Sequence, residues 1–218
     1  MLEEKKKIME IGKRLYQAGL ATGTEGNISV RLADGSILIT ASGANKGNLS
    51  EREIIRVDLD GKKTLGAGKP STETAMHLVC YRERPDVKAI IHAHPPYCVA
   101  LTLAGIELNQ PFMPESVVVL GKVPTAPYAR PSTQQVPASI MPFIPLTDLI
   151  LLERHGSLTM GADLEQAYFK LQILENTART VHLAYQVGKP RPLPQREVME
   201  LNRLRATTYK LTYPIISF

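Results

Sequence analysis

The feature that most constrains this chain is a hairpin placed early among helices. Ile28 to Leu32 alternates apolar and polar residues, Asp34-Gly35 is a tight-turn dipeptide, and Ser36 to Thr40 reads as a second strand. Such a turn joins antiparallel neighbours. Helical segments surround it: Leu2, Ile8, Ile11 and Leu15 recur at helical steps and Gly19 closes that helix. Strands interleaved with helices around a hairpin predict an α/β fold with a mixed, mostly antiparallel sheet, not a doubly wound parallel one.

Further along, Ala41 to Gly47 is a polar, glycine-bearing loop, Ser50 and Glu53 form a capping box, and Val57 to Gly61 reads as strand plus turn. A helix is expected from about Pro70 to Arg84, with Ser71 or Thr72 as its cap and Glu73 in its first turn. Lys88 to His94 is strand-like, and Pro96 to about Ala104 helical. Val117 to Leu120, Val123 to Pro127 and Asp148 to Glu153 read as strands, Leu164 to Val187 as a long helix, and a last helix starts near Arg196. The 218 residues suit one domain, residues 1–218, with segment 195–218 a helical tail able to help close a site.

Composition narrows the class. No apolar run reaches the ~20 residues of a membrane span, and the mixed-charge N-terminus lacks the apolar stretch of a secretory signal, so a cytoplasmic location is expected. Cys80 and Cys98 cannot make a disulfide framework and are expected to be small buried hydrophobes. The net charge of +5 suits anionic partners, but the basic residues are scattered. A small phosphorylated substrate accounts for them as well as nucleic acid does, and the lack of aromatic–basic interleaving excludes an RNA-binding sheet.

The chemistry is concentrated in histidines. On a strand, His92 and His94 project to the same face, roughly 6–7 Å apart, where they can share an ion. Taken alone, the pair also fits two solvent-facing or hydrogen-bonded imidazoles. His155 follows an apolar strand and precedes Gly156, a place from which a ligand reaches into a cleft. Three histidines with an open fourth position form the catalytic zinc arrangement. Glu73, at a helix start, can be a plain first-turn charge or a general base beside the ion. His77, one turn on, is read as structural. The clusters Gly26-Asn27, Ser42-Gly43 and Ser71-Thr72 are ordinary turn and cap chemistry separately, and a phosphate site only if they converge.

The segments GTEGNISVR (23–31), ITASG (39–43), PSTETAMH (70–77), RPDVKAIIHAHPP (84–96) and LLERHGSLTMGADLEQA (151–167) together resemble the class II aldolase/adducin family over nearly the whole chain to about residue 187. The resemblance implies a single-domain α/β/α sandwich, one zinc ion per chain on His92, His94 and His155, and Glu73 as acid/base. It also implies a phosphate cradle of Asn27, Ser42, Gly43, Ser71 and Thr72, and a homotetramer. The implied activity is reversible cleavage of a ketose 1-phosphate, such as L-fuculose 1-phosphate, to dihydroxyacetone phosphate and a small aldehyde such as lactaldehyde, with neither nucleic acid nor membrane as partner. Ribulose-phosphate 4-epimerase and methylthioribulose-phosphate dehydratase chemistry stay open, as does a non-enzymatic adducin-like role. One departure stands out: the tyrosine acid that fuculose-phosphate aldolases carry is missing from Pro111 to Ser116, leaving Glu115, Tyr209 or water as proton donor.

Overall fold

The computed structural model describes all residues, 1–218. Eight strands form one sheet in the order β4-β3-β2-β1-β5-β8-β7-β6. They are β1 (Asn27–Arg31), β2 (Ile37–Thr40), β3 (Ile54–Val57), β4 (Lys63–Leu65), β5 (Ala89–Ala93), β6 (Thr125–Ala126), β7 (Leu149–Leu152) and β8 (Gly156–Gly161). Every neighbouring pair is antiparallel except β6–β7, which is parallel. The helices are α1 (Leu2–Gln17), α2 (Thr74–Glu83), α3 (Pro96–Leu103), α4 (Gln135–Ile140), α5 (Leu164–Val187) and α6 (Gln195–Thr207). The expected sandwich is what forms, with α1, α3 and α5 packed together on the sheet and α2 packed with α4. No helix is long and apolar enough to cross a membrane.

The apolar faces explain the layers. Ile8, Ile11 and Leu15 of α1 are buried, while Leu2, which shares their spacing, is 53% exposed in the helix's first turn. Residues 89–93 of β5 are buried on both faces, as befits a strand with helices above and below. Cys80 and Cys98 are free and buried, and burial raises both thiols, so neither is a nucleophile.

Several expectations need correcting. Ser116–Leu120 is a π-helical turn, not a strand. Its valine run favours β by side-chain shape, but Gly121 (φ +66°) ends it and Arg205 holds the Val118 carbonyl from α6, so tertiary contacts prevail. The strand expected at 57–61 lies at Ile54–Val57, and the one at 123–127 shrinks to Thr125–Ala126. β4, β8 and α4 were not anticipated. Ser71 and Thr72 do not cap α2; Glu73 itself occupies the cap position, with no side-chain cap bond. The tail is helical only to Thr207, and beyond it Ile216 bridges to Lys122.

Candidate metal and active site

Register brings the site together. Asn27 of β1 lies opposite His92 of β5, and Ser29 opposite Ile90. Directly opposed residues share a sheet face. The Ser29 hydroxyl meets His77 Nδ1 at 2.6 Å and the Tyr81 hydroxyl at 2.8 Å, so that face is the one beneath α2. Asn27 and His92 therefore point toward the start of α2, where Glu73 stands. The β7–β8 hairpin turn, with Arg154 at φ +59°, delivers His155 beside them because Ser157 of β8 pairs with Ala93 of β5.

The three imidazoles form a triangle with ring centroids 4.8–4.9 Å apart. Their ligand nitrogens all lie within 4.8 Å of one another. His92 Nδ1 lies 2.9 Å from the Ser157 carbonyl, which can only accept, so Nδ1 carries the proton and Nε2 presents a lone pair. That lone pair faces His94 Nε2 at 3.1 Å and Glu73 Oε2 at 3.3 Å. Glu73 Oε1 lies 3.3 Å from His155 Nε2 and has no hydrogen-bond donor despite its burial. Crowded lone pairs with an undonated carboxylate oxygen repel one another unless a cation sits among them. The His94–His92 spacing is near the ~3.4 Å expected of two nitrogens sharing a tetrahedral ion. The donor set thus fits a divalent metal.

Electrostatics agree. Burial pushes His94 down to about 3 and His155 to about 4, so both are neutral near pH 7 and available as ligands. Burial alone would raise Glu73, but the contacts with His92 and the Asn27 amide, and attraction to His92 and His155 when they take up protons in acid, outweigh it and hold the carboxyl at about 2. The Asn27 amide donates to Glu73 Oε2 at 3.0 Å.

A cleft of about 430 Å³ opens over this cluster, lined by Asn27, Ser42, Gly43, Ser71, Thr72, Glu73, His94 and His155. All three polar clusters read from the sequence converge here. Two other clefts, one beside Tyr97 and Glu175 and one beside Arg31 and Lys88, hold none of the three histidines; chemistry, not shape, picks out this one. Thr24, Glu25, Pro131 and Ser132 also line it and were not anticipated. Ser132 has φ +62°, uncommon for a residue with a side chain, and its hydroxyl donates to Thr72 Oγ1 at 2.7 Å. No sequence signal marks such a loop residue. Neither Glu115 nor Tyr209 lines the cleft of its own chain; both are exposed elsewhere. His77 is fully buried, with Nδ1 held by the Ser29 hydroxyl.

The family model for the class II aldolase and adducin N-terminal domain matches residues 6–182, so the chain belongs to that family. Within it, the chain is 34% identical over 204 residues to the 3-oxo-tetronate 4-phosphate decarboxylase of Haemophilus influenzae, covering 92% of this chain and 96% of that one. It is 32% identical over 184 residues to the L-fuculose phosphate aldolase of Methanococcus vannielii, covering 84% and 98%. A solved L-fuculose 1-phosphate aldolase superposes with a TM-score of 0.86 at 30% identity, over 95% of this chain and 96% of that one. The family's enzymes depend on a metal and act on phosphorylated sugars, and the three histidines are where this chain could bind one.

Proposed function

We propose that this chain is a zinc-dependent lyase that breaks the carbon–carbon bond next to a substrate carbonyl and leaves the enediolate of dihydroxyacetone phosphate. The observation that carries this reading is a buried carboxylate, Glu73, within 3.3 Å of Nε2 on both His92 and His155, at the edge of a hydroxyl-lined cleft. Asn27, Ser42, Gly43, Ser71 and Thr72 would hold the phosphate through amide, hydroxyl and backbone N–H donors. His92, His94 and His155 would hold a divalent ion, which when bound would supply Lewis-acid stabilisation for an oxyanion at the substrate carbonyl. Glu73 passes a solvent proton to the carbon left with the electron pair.

The two named relatives differ only in the group that leaves. Loss of carbon dioxide from a 3-oxo-tetronate 4-phosphate puts the electron pair on C2, beside the C3 carbonyl. Cleaving C3–C4 of L-fuculose 1-phosphate puts it on C3, beside the C2 carbonyl. Both leave the same enediolate. Releasing an aldehyde also requires a base at the C4 hydroxyl, whereas releasing carbon dioxide requires none. The chain has no tyrosine between Tyr97 and Tyr128, and the cleft's other acid, Glu25, is occupied by Thr22 and Gly23. These features favour the keto-acid substrate. Ketose 1-phosphate cleavage is the second reading, favoured by the 32% identity to the Methanococcus aldolase.

The test offers both substrates to zinc-loaded protein and follows dihydroxyacetone phosphate by coupled NADH oxidation, with carbon dioxide measured in parallel. Triose phosphate with equimolar carbon dioxide is expected from the keto acid. Triose phosphate from L-fuculose 1-phosphate alone would select the aldolase, and none from either would reject a lyase that leaves this enediolate.

A further inference from the structure

Lys46 is 1% exposed and plays no part in the chemistry above. Its ammonium makes no ion pair: it donates to the Thr24 carbonyl at 2.7 Å and the Ala44 carbonyl at 2.5 Å. Those two carbonyls belong to different loops. One loop carries Thr24 and Glu25 into the cleft and leads into Asn27 of β1, and the other carries Ser42 and Gly43. The lysine's own backbone is pinned from outside. A Cβ on Gly12 of α1 would come within 2.6 Å of the Lys46 carbonyl oxygen, and one on Gly47 within 2.5 Å of the Tyr16 ring. Asn45 Oδ1 closes the turn by accepting from Gly47 N at 2.8 Å.

A buried ammonium without a contacting carboxylate is costly unless another charge answers it. Burial pushes Lys46 down to about 8 against the pull of Glu25, Glu53 and Glu73, which leaves it mostly charged near pH 7. The loops it ties are the ones proposed to take the phosphate.

We infer that Lys46 is a positioning residue for the phosphate end of the substrate. It locks the Thr24 and Ala44 loops into one cradle and sets behind them a buried positive charge that a bound dianion neutralises. This rests on the cradle reading under Proposed function.

The probe is inorganic phosphate, titrated by calorimetry near pH 7 into zinc-loaded wild-type, Lys46→Met and Lys46→Arg proteins, with zinc content and melting as folding controls. Wild type should bind phosphate, Lys46→Met at least about tenfold more weakly with zinc retained, and Lys46→Arg should recover most of the loss. In turnover, Lys46→Met should raise KM with kcat little changed, the mark of lost uniform binding rather than lost chemistry. If Lys46→Met does not fold, Lys46→Gln, which keeps amide donors but no charge, takes its place. Wild type that binds no phosphate overturns the cradle reading and this inference with it. Wild type that binds phosphate while the uncharged variant binds equally well, or while kcat falls as far as kcat/KM, overturns the role of Lys46 alone.

Discussion

Glu73 shows how one residue's role depends on its neighbours rather than on its own helix. It sits at the cap position of α2 without capping it, because its oxygens are drawn to Asn27, His92 and His155. The sequence reading put Glu73 in the first turn, since a Ser-Thr-Glu run there is indistinguishable from ordinary cap chemistry. What could be read was the same-face pair His92 and His94, because strand alternation is a local rule. What could not was Ser132, whose place in the cleft depends on a loop far away in sequence. The buried histidines also predict an acid response. In the metal-free protein burial holds His77 and His94 at about 3 and His155 at about 4, against 6.5 for the free side chain. As pH falls below 6.5 the unfolded chain takes up protons that the folded chain refuses, so stability is present above that pH and lost toward 3 to 4. Glu25 and Glu73, both held at about 2, lose their contribution in the same direction at lower pH still. Urea midpoints of chelator-treated protein should therefore drop from near pH 7 to near pH 5; a flat or rising midpoint would contradict neutral buried imidazoles.

Among the elements, β8 decides the site and was not anticipated. Ser157 to Met160 does alternate polar and apolar residues, but the stretch is short, ends in glycine on both sides and is buried on both faces, so its alternation marks no solvent side and gives only a weak local signal. Its first residue explains why a glycine follows His155. A Cβ on Gly156 would lie 2.4 Å from the Ala93 carbonyl, 3.0 Å from His94 Cδ2 and 3.2 Å from His92 Cε1. The close approach of β8 to β5 is thus bought with a missing side chain. Gly156→Ala should push β8 off β5, destabilise the fold by about 1–3 kcal/mol and weaken zinc binding at least about tenfold. A competition titration against a metal indicator checks it, and unchanged affinity would mean that β8 does not set the histidine spacing. The valine run at 117–120 failed for the opposite reason. There a strong local preference was overruled by Arg205 and the tail, which only the tertiary fold brings near.

At the scale of the whole molecule, the two ends of the central strands have different work. One end carries the histidines. The other carries a buried ion cluster in which Asp148 accepts from Arg84 at 2.8 Å and from Lys170 at 2.6 Å, both partners being nearly inaccessible. Removing Lys170 takes the donor from Asp148 Oδ2 in a buried site and leaves Arg84 as the carboxylate's one cationic partner. Lys170→Met should therefore lower stability by about 3 kcal/mol or more while leaving zinc stoichiometry at one per chain, because the cluster and the site sit at opposite ends of β8. Loss of zinc in that variant would show the ends to be coupled. The α/β class and the antiparallel pairing were legible from the hairpin and the helical periods, since these are properties of short stretches, whereas the sandwich layering came only with the family resemblance. The convergence of three loops on one cleft was not, since it belongs to the register of β1 against β5 and β8.

Under the proposed function, whatever group leaves, Glu73 would move a proton to and from an enediolate stabilised at the three-histidine site. Solvent exchange into dihydroxyacetone phosphate tests it without any choice of substrate. Zinc-loaded wild type in deuterium oxide should replace one of the two hydroxymethyl hydrogens stereospecifically, as seen by proton NMR. Chelator-treated protein should not, and Glu73→Gln should keep its zinc yet exchange at least about a hundredfold more slowly. No exchange by the zinc-loaded wild type, or equal exchange without zinc or without Glu73, would contradict the account.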